Sequence, residues 1–180
     1  MTHPYLSLEH PIRFAHRGSR QLWPENTITA FRGAYDLGYR YFETDVRISR
    51  DGVVLVFHDK TLDRTTNGTG VVSEWLFEDL QHLDAAWGFG ADEDYPLRGK
   101  GVGISSLDEL FATFPDVHIN IDLKGKGLEW PVAEVIQDHG RQDRTLIGSF
   151  VDRRIARFRR VTAGAVATSA GPSAAVSYTH

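Results

Sequence analysis

From Ser106 onward the chain alternates apolar runs of strand length with amphipathic helical segments, and this alternation constrains the fold more than any other feature. Residues 106–114 read as a helix, with Ser106 three residues before Glu109 as a capping box. A strand follows at 117–123, then a helix at 128–139 with Pro131 in its first turn. The pattern continues as a strand at 145–150, a helix at 152–160 and an apolar run at 165–169. The start of the chain has the same rhythm. An apolar run from 12 leads to His16, and Asn26 or Thr27 is positioned to cap a helix over 28–37 that Gly38 stops. A strand is expected at 39–46, a turn at 49–52, and a second extended run at 53–57 that ends at His58.

Strands and helices in alternation indicate a parallel α/β fold. A doubly wound open sheet and a barrel share this local pattern, and the placement of polar residues separates them. His16, Glu43 and Asp45, Asp122 and Lys124, and Ser149 all stand at the C-terminal ends of strands. A (β/α)8 barrel brings those ends to one face, where catalytic groups gather. An open sheet would spread them along an edge. A TIM-type barrel is therefore expected. Residues 60–105 break the rhythm but carry Trp75, Leu76, Phe77, Leu80, Leu83, Trp87 and Phe89. So many large apolar side chains predict a packed insertion subdomain within a single barrel domain over 1–180, not a slack linker.

The balance of 20 Lys and Arg against 24 Asp and Glu excludes a basic footprint for nucleic acid. The absence of cysteine excludes disulfides, thiolate catalysis and zinc–sulfur sites. No apolar run approaches the ~20 residues of a membrane span, and residues 1–11 lack the features of a secretory leader. No stable membrane insertion is expected, and a cytoplasmic location is.

Glu43 and Asp45 lie on the same face of an otherwise apolar strand, and Asp122 repeats the anomaly in the run Ile119 to Lys124. Neighbouring carboxylates raise one another's pKa unless a cation separates them. Three of them, with no thiolate available, suit a hard, oxygen-seeking ion such as Mg2+ or Ca2+. His16 and His58 end the runs taken to flank the acidic strand. Imidazole titrates in the range needed to take a proton from a nucleophile and return one to a leaving alkoxide. Arg17 and Lys124 add positive charge suited to phosphoryl oxygens. The Asn67-Gly68-Thr69-Gly70 run reads as a turn, and Arg153, Arg154, Arg157, Arg159 and Arg160 as the solvated face of an outer helix.

These residues stand in seven ordered blocks. They include Ala15-His16-Arg17-Gly18, Pro24-Glu25-Asn26-Thr27, Glu43-Thr44-Asp45-Val46 and Asp51-Gly52 followed by Phe57-His58-Asp59. The run from Leu62 to Gly70, then Leu83-Asp84-Ala85 and Asn120-Ile121-Asp122-Leu123-Lys124, completes them. In this the chain resembles the glycerophosphodiester phosphodiesterases. The resemblance implies a TIM-type barrel with a small insertion after the second strand. It also implies hydrolysis of glycerophosphodiesters to glycerol 3-phosphate and an alcohol, by way of a cyclic phosphate. It assigns Glu43, Asp45 and Asp122 to the metal, His16 and His58 to acid/base work, and Arg17 and Lys124 to phosphate. Asp122 stands where that family usually has Glu, a feature shared with sphingomyelinase D and lysophospholipase D enzymes, the alternative of the same class. The last barrel strands of the family have no counterpart in this chain, so a catalytically silent fragment that self-associates through open sheet edges is the second alternative.

Overall fold

The computed structural model describes residues 3–6 and 12–171. His10 and the whole tail from 172, His180 included, lie outside them. One mixed sheet runs through the molecule. Its parallel strands are β1 (Ala15–His16), β2 (Tyr41–Ile48), β4 (His118–Leu123), β5 (Thr145–Gly148) and β6 (Ala167–Thr168), in the order β1-β2-β4-β5-β6. The helices α1 (Ile28–Asp36), α3 (Leu107–Thr113), α4 (Glu129–Asp138) and α5 (Asp152–Val161) alternate with them. This is the βα progression of a TIM-type barrel, and among the described residues β1 and β6 are its two edges. No helix of the described residues is long and apolar enough to cross a membrane.

The side-chain period of two sorts the strands. Phe42 and Val46 of β2, Ile119, Ile121 and Leu123 of β4 and Ile147 of β5 are all within 1% of full burial and join the helices in the main core. Removing each such side chain from water contributes about 1.5–3 kcal/mol. The alternate residues of β2 and β4 are Glu43, Asp45, Asn120 and Asp122, paired Glu43 with Asn120 and Asp45 with Asp122. The registration therefore stacks the acids in two adjacent rows. The starts of α1 and α3 follow their caps. The Thr27 hydroxyl accepts from the Ala30 N–H, and Ser106 and Glu109 form the complete reciprocal box.

Strand β3 (Val54–Val56) corrects one expectation. It is antiparallel to β2 and pairs Val56 with Val46, on the side of β2 where β1 pairs Phe42 and Glu43. β1 and β3 therefore do not flank the acidic strand. They enter one lane from opposite ends, because the tight turn at Ser49–Gly52 folds β3 straight back; Ser49 Oγ donates to Asp51 Oδ1 at 2.6 Å, and Gly52 has φ +89°. The insertion follows this hairpin, after the second parallel strand. Its short helix α2 (Phe77–Gln81) and its turns enclose a second cluster of Leu55, Phe57, Leu62, Val72, Leu80, Ala85, Ala86, Val102 and Ile104. The chain returns alongside β3, where the Val56 N–H donates to the Ser105 carbonyl at 2.9 Å.

Candidate active site

The shared lane brings the chain segments that carry the two histidines to one stretch of β2. The Arg17 N–H donates to the Glu43 carbonyl, and the Phe57 N–H to the Asp45 carbonyl, each at 2.9 Å. The residues next to His16 and His58 thus dock two positions apart on β2, a separation of ~7 Å. The loop after β1 turns sharply to allow this. Arg17, Gly18 and Ser19 have φ of +52°, +74° and +67°. A Cβ on Gly18 would stand 2.6 Å from the Ala30 Cβ, so the loop is pressed onto the first turn of α1 where only glycine fits.

Asn26 closes the lane between the two ends. Its amide donates to Asp45 Oδ2 at 3.1 Å, and its side-chain carbonyl accepts from the Thr44 hydroxyl at 2.8 Å. Thr44 and Asp45 point to opposite faces of β2, so one buried side chain straddles the strand. Asp45 is also in contact with Arg17 Nε at 2.9 Å and Lys124 Nζ at 3.1 Å. Lys124 reaches Asp122 Oδ2 at 2.6 Å as well. Burial opposes the charge on Lys124, but its bonds to Asp122 and Asp45 outweigh that and raise its pKa. Glu43 has no cationic side chain bonded to it among the described residues; its Oε2 accepts only the Arg17 backbone N–H, at 3.3 Å. Burial, then the charge of Asp45, push its pKa up to about 7. His16 Nε2 lies 3.6 Å from Glu43 Oε2, and burial, with Arg17 and Arg20 nearby, lowers the imidazole pKa.

His58 is anchored from behind. Its Nδ1 is 2.6 Å from Asp59 Oδ1, and Arg64 Nε donates to Asp59 Oδ2 at 2.6 Å. Burial favours a protonated Asp59, but the hydrogen bonds from Arg64 and His58 prevail and lower its pKa to about 2. An ionised carboxylate only accepts, so His58 carries its proton on Nδ1 and presents Nε2 as the exchangeable site.

A cleft of about 450 Å³ opens over Glu43, Asn120 and Asp122, with Gly148, Ser149 and Phe150 on its far side. Asp122 Oδ1 and Asn120 Oδ1 are buried there without a hydrogen-bond partner. The donor chemistry fits a hard divalent ion: oxygens only, two of them orphaned, and a neighbouring carboxylate pushed toward its neutral form. Among the described residues, however, no three carboxylates or imidazoles stand close enough to enclose an ion. The expected set of Glu43, Asp45 and Asp122 shares a face but is not drawn into a cage, because Lys124 Nζ sits between Asp45 and Asp122. Arg17 is likewise engaged with carboxylates, at Asp45 and at Glu25, the latter 2.9 Å from Nη1. Four participants were not singled out from sequence: Glu25, Asn26, Asp59 and Arg64. Each lies in one of the seven blocks, but only Asp59 stands beside an assigned residue, and Asn26 reads locally as a helix cap.

Residues 16–170 match the model of the glycerophosphoryl diester phosphodiesterase family. The chain belongs to this family. It is 35% identical over 168 residues to a probable glycerophosphodiester phosphodiesterase of Mycobacterium tuberculosis, covering 93% of this chain and 59% of the relative. A glycerophosphodiester phosphodiesterase structure from Agrobacterium tumefaciens superposes with a TM-score of 0.75 at 34% identity, over 83% of this chain and 62% of that one. A phosphodiesterase from Oleispira antarctica, solved in complex with the product sn-glycerol-3-phosphate, gives 0.75 at 30% identity, over 88% and 64%. The chain thus spans about six tenths of the length of these relatives. Their names favour the glycerophosphodiester reading over the sphingomyelinase D-like one.

Proposed function

We propose that the protein hydrolyses glycerophosphodiesters to glycerol 3-phosphate and an alcohol. The observation that carries this reading is the convergence of His16 and His58, from opposite ends of one lane, beside a carboxylate-lined cleft. The product complex of the Oleispira relative supports the same substrate class. His16 and His58 divide the two proton transfers: one imidazole takes the proton of the attacking oxygen, and the other returns one to the departing alkoxide. His58 acts through Nε2, with Asp59 holding its ring. Arg17 and Lys124 bring positive charge toward the phosphoryl oxygens, while their ion pairs with Asp45 keep both side chains in place. Glu43, Asp45 and Asp122 would hold a divalent cation, Mg2+ or Ca2+, and a cation there supplies Lewis-acid stabilisation of phosphoryl charge.

The test is release of glycerol 3-phosphate from glycerophosphocholine by the full-length protein, with Mg2+, with Ca2+ and with excess chelator. Turnover that either ion restores after chelation is expected. Turnover that is unchanged in chelator would remove the metal assignment, and no release under any condition would remove the substrate assignment. A chain confined to residues 1–180 is expected to self-associate through β1 and β6, because an unpaired parallel edge exposes backbone donors and acceptors. Sedimentation of that chain as a monomer would contradict this.

A further inference from the structure

The insertion is not only a neighbour of the site. One of its residues, Arg64, is the cation on which two branches of the site converge. On one side Arg64 Nε holds Asp59 at 2.6 Å, and Asp59 holds His58 Nδ1 at 2.6 Å. On the other side Arg64 makes a forked bridge to Glu25, Nη2 to Oε1 at 2.7 Å and Nη1 to Oε2 at 3.0 Å. Glu25 Oε1 then accepts from Arg17 Nη1 at 2.9 Å. The chain of alternating charge runs His58, Asp59, Arg64, Glu25, Arg17 and on to Asp45.

We propose that Arg64 is a positioning residue for diester hydrolysis, setting through Asp59 the tautomer and ring orientation of His58, and through Glu25 the place of the Arg17 guanidinium. This rests on the reading of His58 and Arg17 given above. The chemistry favours arginine in this role. A planar fork can meet one carboxylate with two nitrogens and a second carboxylate with Nε, which a lysine ammonium cannot do. An ordinary surface ion pair contributes little, and the Arg64 side chain is 49% exposed, so mere tethering of the insertion is the competing explanation. Two readouts separate them. Arg64 and Glu25 line an open cleft of about 350 Å³, so a small guanidinium has access to the position the side chain would leave. The protonated nitrogen of His58 is directly visible by imidazole 15N–1H NMR.

In the full-length protein, Arg64→Ala should lower kcat on glycerophosphocholine by about 10- to 100-fold, the scale for losing an outer partner of a site residue. KM should change less. Millimolar methylguanidinium should restore kcat saturably, whereas Arg64→Lys should remain impaired. The His58 signal should move from the Nδ1–H tautomer toward a mixture in Arg64→Ala and return with methylguanidinium. Asp59→Asn should perturb the same signal without rescue. An unchanged kcat in Arg64→Ala, or a reduced kcat with a wild-type His58 signal and no rescue, would leave Arg64 a tether and overturn the proposal. If the wild-type protein releases no glycerol 3-phosphate yet the His58 signal responds as described, the functional reading fails and the positioning role stands.

Discussion

The two faces of β2 and β4 share a backbone and a register yet have opposite chemistry. Facing the helices, Phe42, Val46, Ile119, Ile121 and Leu123 are buried among other apolar groups. Facing the interior of the sheet, Glu43, Asp45, Asn120 and Asp122 crowd like charges and leave two oxygens unpartnered. The helix face yields stability from burial, and the inner face gives some of it up to keep reactive groups close together. Proteins depart from local consistency mainly where function demands it. Substitutions on the two faces should therefore have opposite signatures.

The largest effect is expected on the helix face. Phe42 is fully buried against Phe31 and Phe114, with ring centroids 5.0 and 5.3 Å away. Phe42→Ala should cost about 3–5 kcal/mol in urea unfolding of the full-length protein, with turnover per folded molecule unchanged. A much smaller cost would break the comparison from the stability side. His58→Ala should do the reverse. It should slow turnover by about 10²-fold or more, roughly 2.7 kcal/mol on the barrier, with an almost unchanged Tm. A large drop in Tm would mean that His58 is a structural residue.

A smaller effect belongs to Asp59 and is read in acid. Its folded-state pKa of about 2 lies below its ordinary 3.8. Its stabilisation is therefore present above its ordinary pKa and lost as pH falls through about 2, a change on the order of 1 kcal/mol once solvent screening of this partly exposed carboxylate is allowed for. Asp59→Asn should flatten that part of the stability profile, and an identical acid limb would discount the Asp59 network. The smallest effect is at the start of α1. Thr27→Ala removes the hydroxyl that accepts from the Ala30 N–H and should cost about 1 kcal/mol by denaturant midpoint, leaving kcat near wild type. A marked fall in kcat would show that the cap also holds Asn26, next to it, in the lane.

Much of this was legible in the sequence, because strand alternation and capping residues act locally. The box at Ser106 and Glu109, the apolar period of β4 and the isolated acids at Glu43, Asp45 and Asp122 each announce themselves within a few residues. The orientation of β3 did not, since an extended run reads the same whether it pairs parallel or antiparallel, and its partner is chosen by the turn and the sheet. The links of Arg64 to Glu25 and Asp59 were also hidden. Arg64 and Glu25 are 39 residues apart, and a polar residue in a loop gives no sign of what it will meet. The position of Lys124 between two acids depends on register across strands, which one strand's pattern cannot reveal.

The hairpin of β2 and β3 also orders the assembly of the site in time. Glu43, Asp45 and His58 lie at the open end of one antiparallel pair, Val46–Ile48 with Val54–Val56, closed by a short turn, and such a unit forms in about 1–10 µs. His16 and Asp122 reach the same place only through parallel pairing, across α1 on one side and across the whole insertion and α3 on the other, and long closures are slow. During folding, then, one imidazole and two carboxylates are already neighbours while their counterparts are still being brought in. The reversal of one three-residue strand thus makes half of this site a local structure and leaves the other half dependent on the completed sheet.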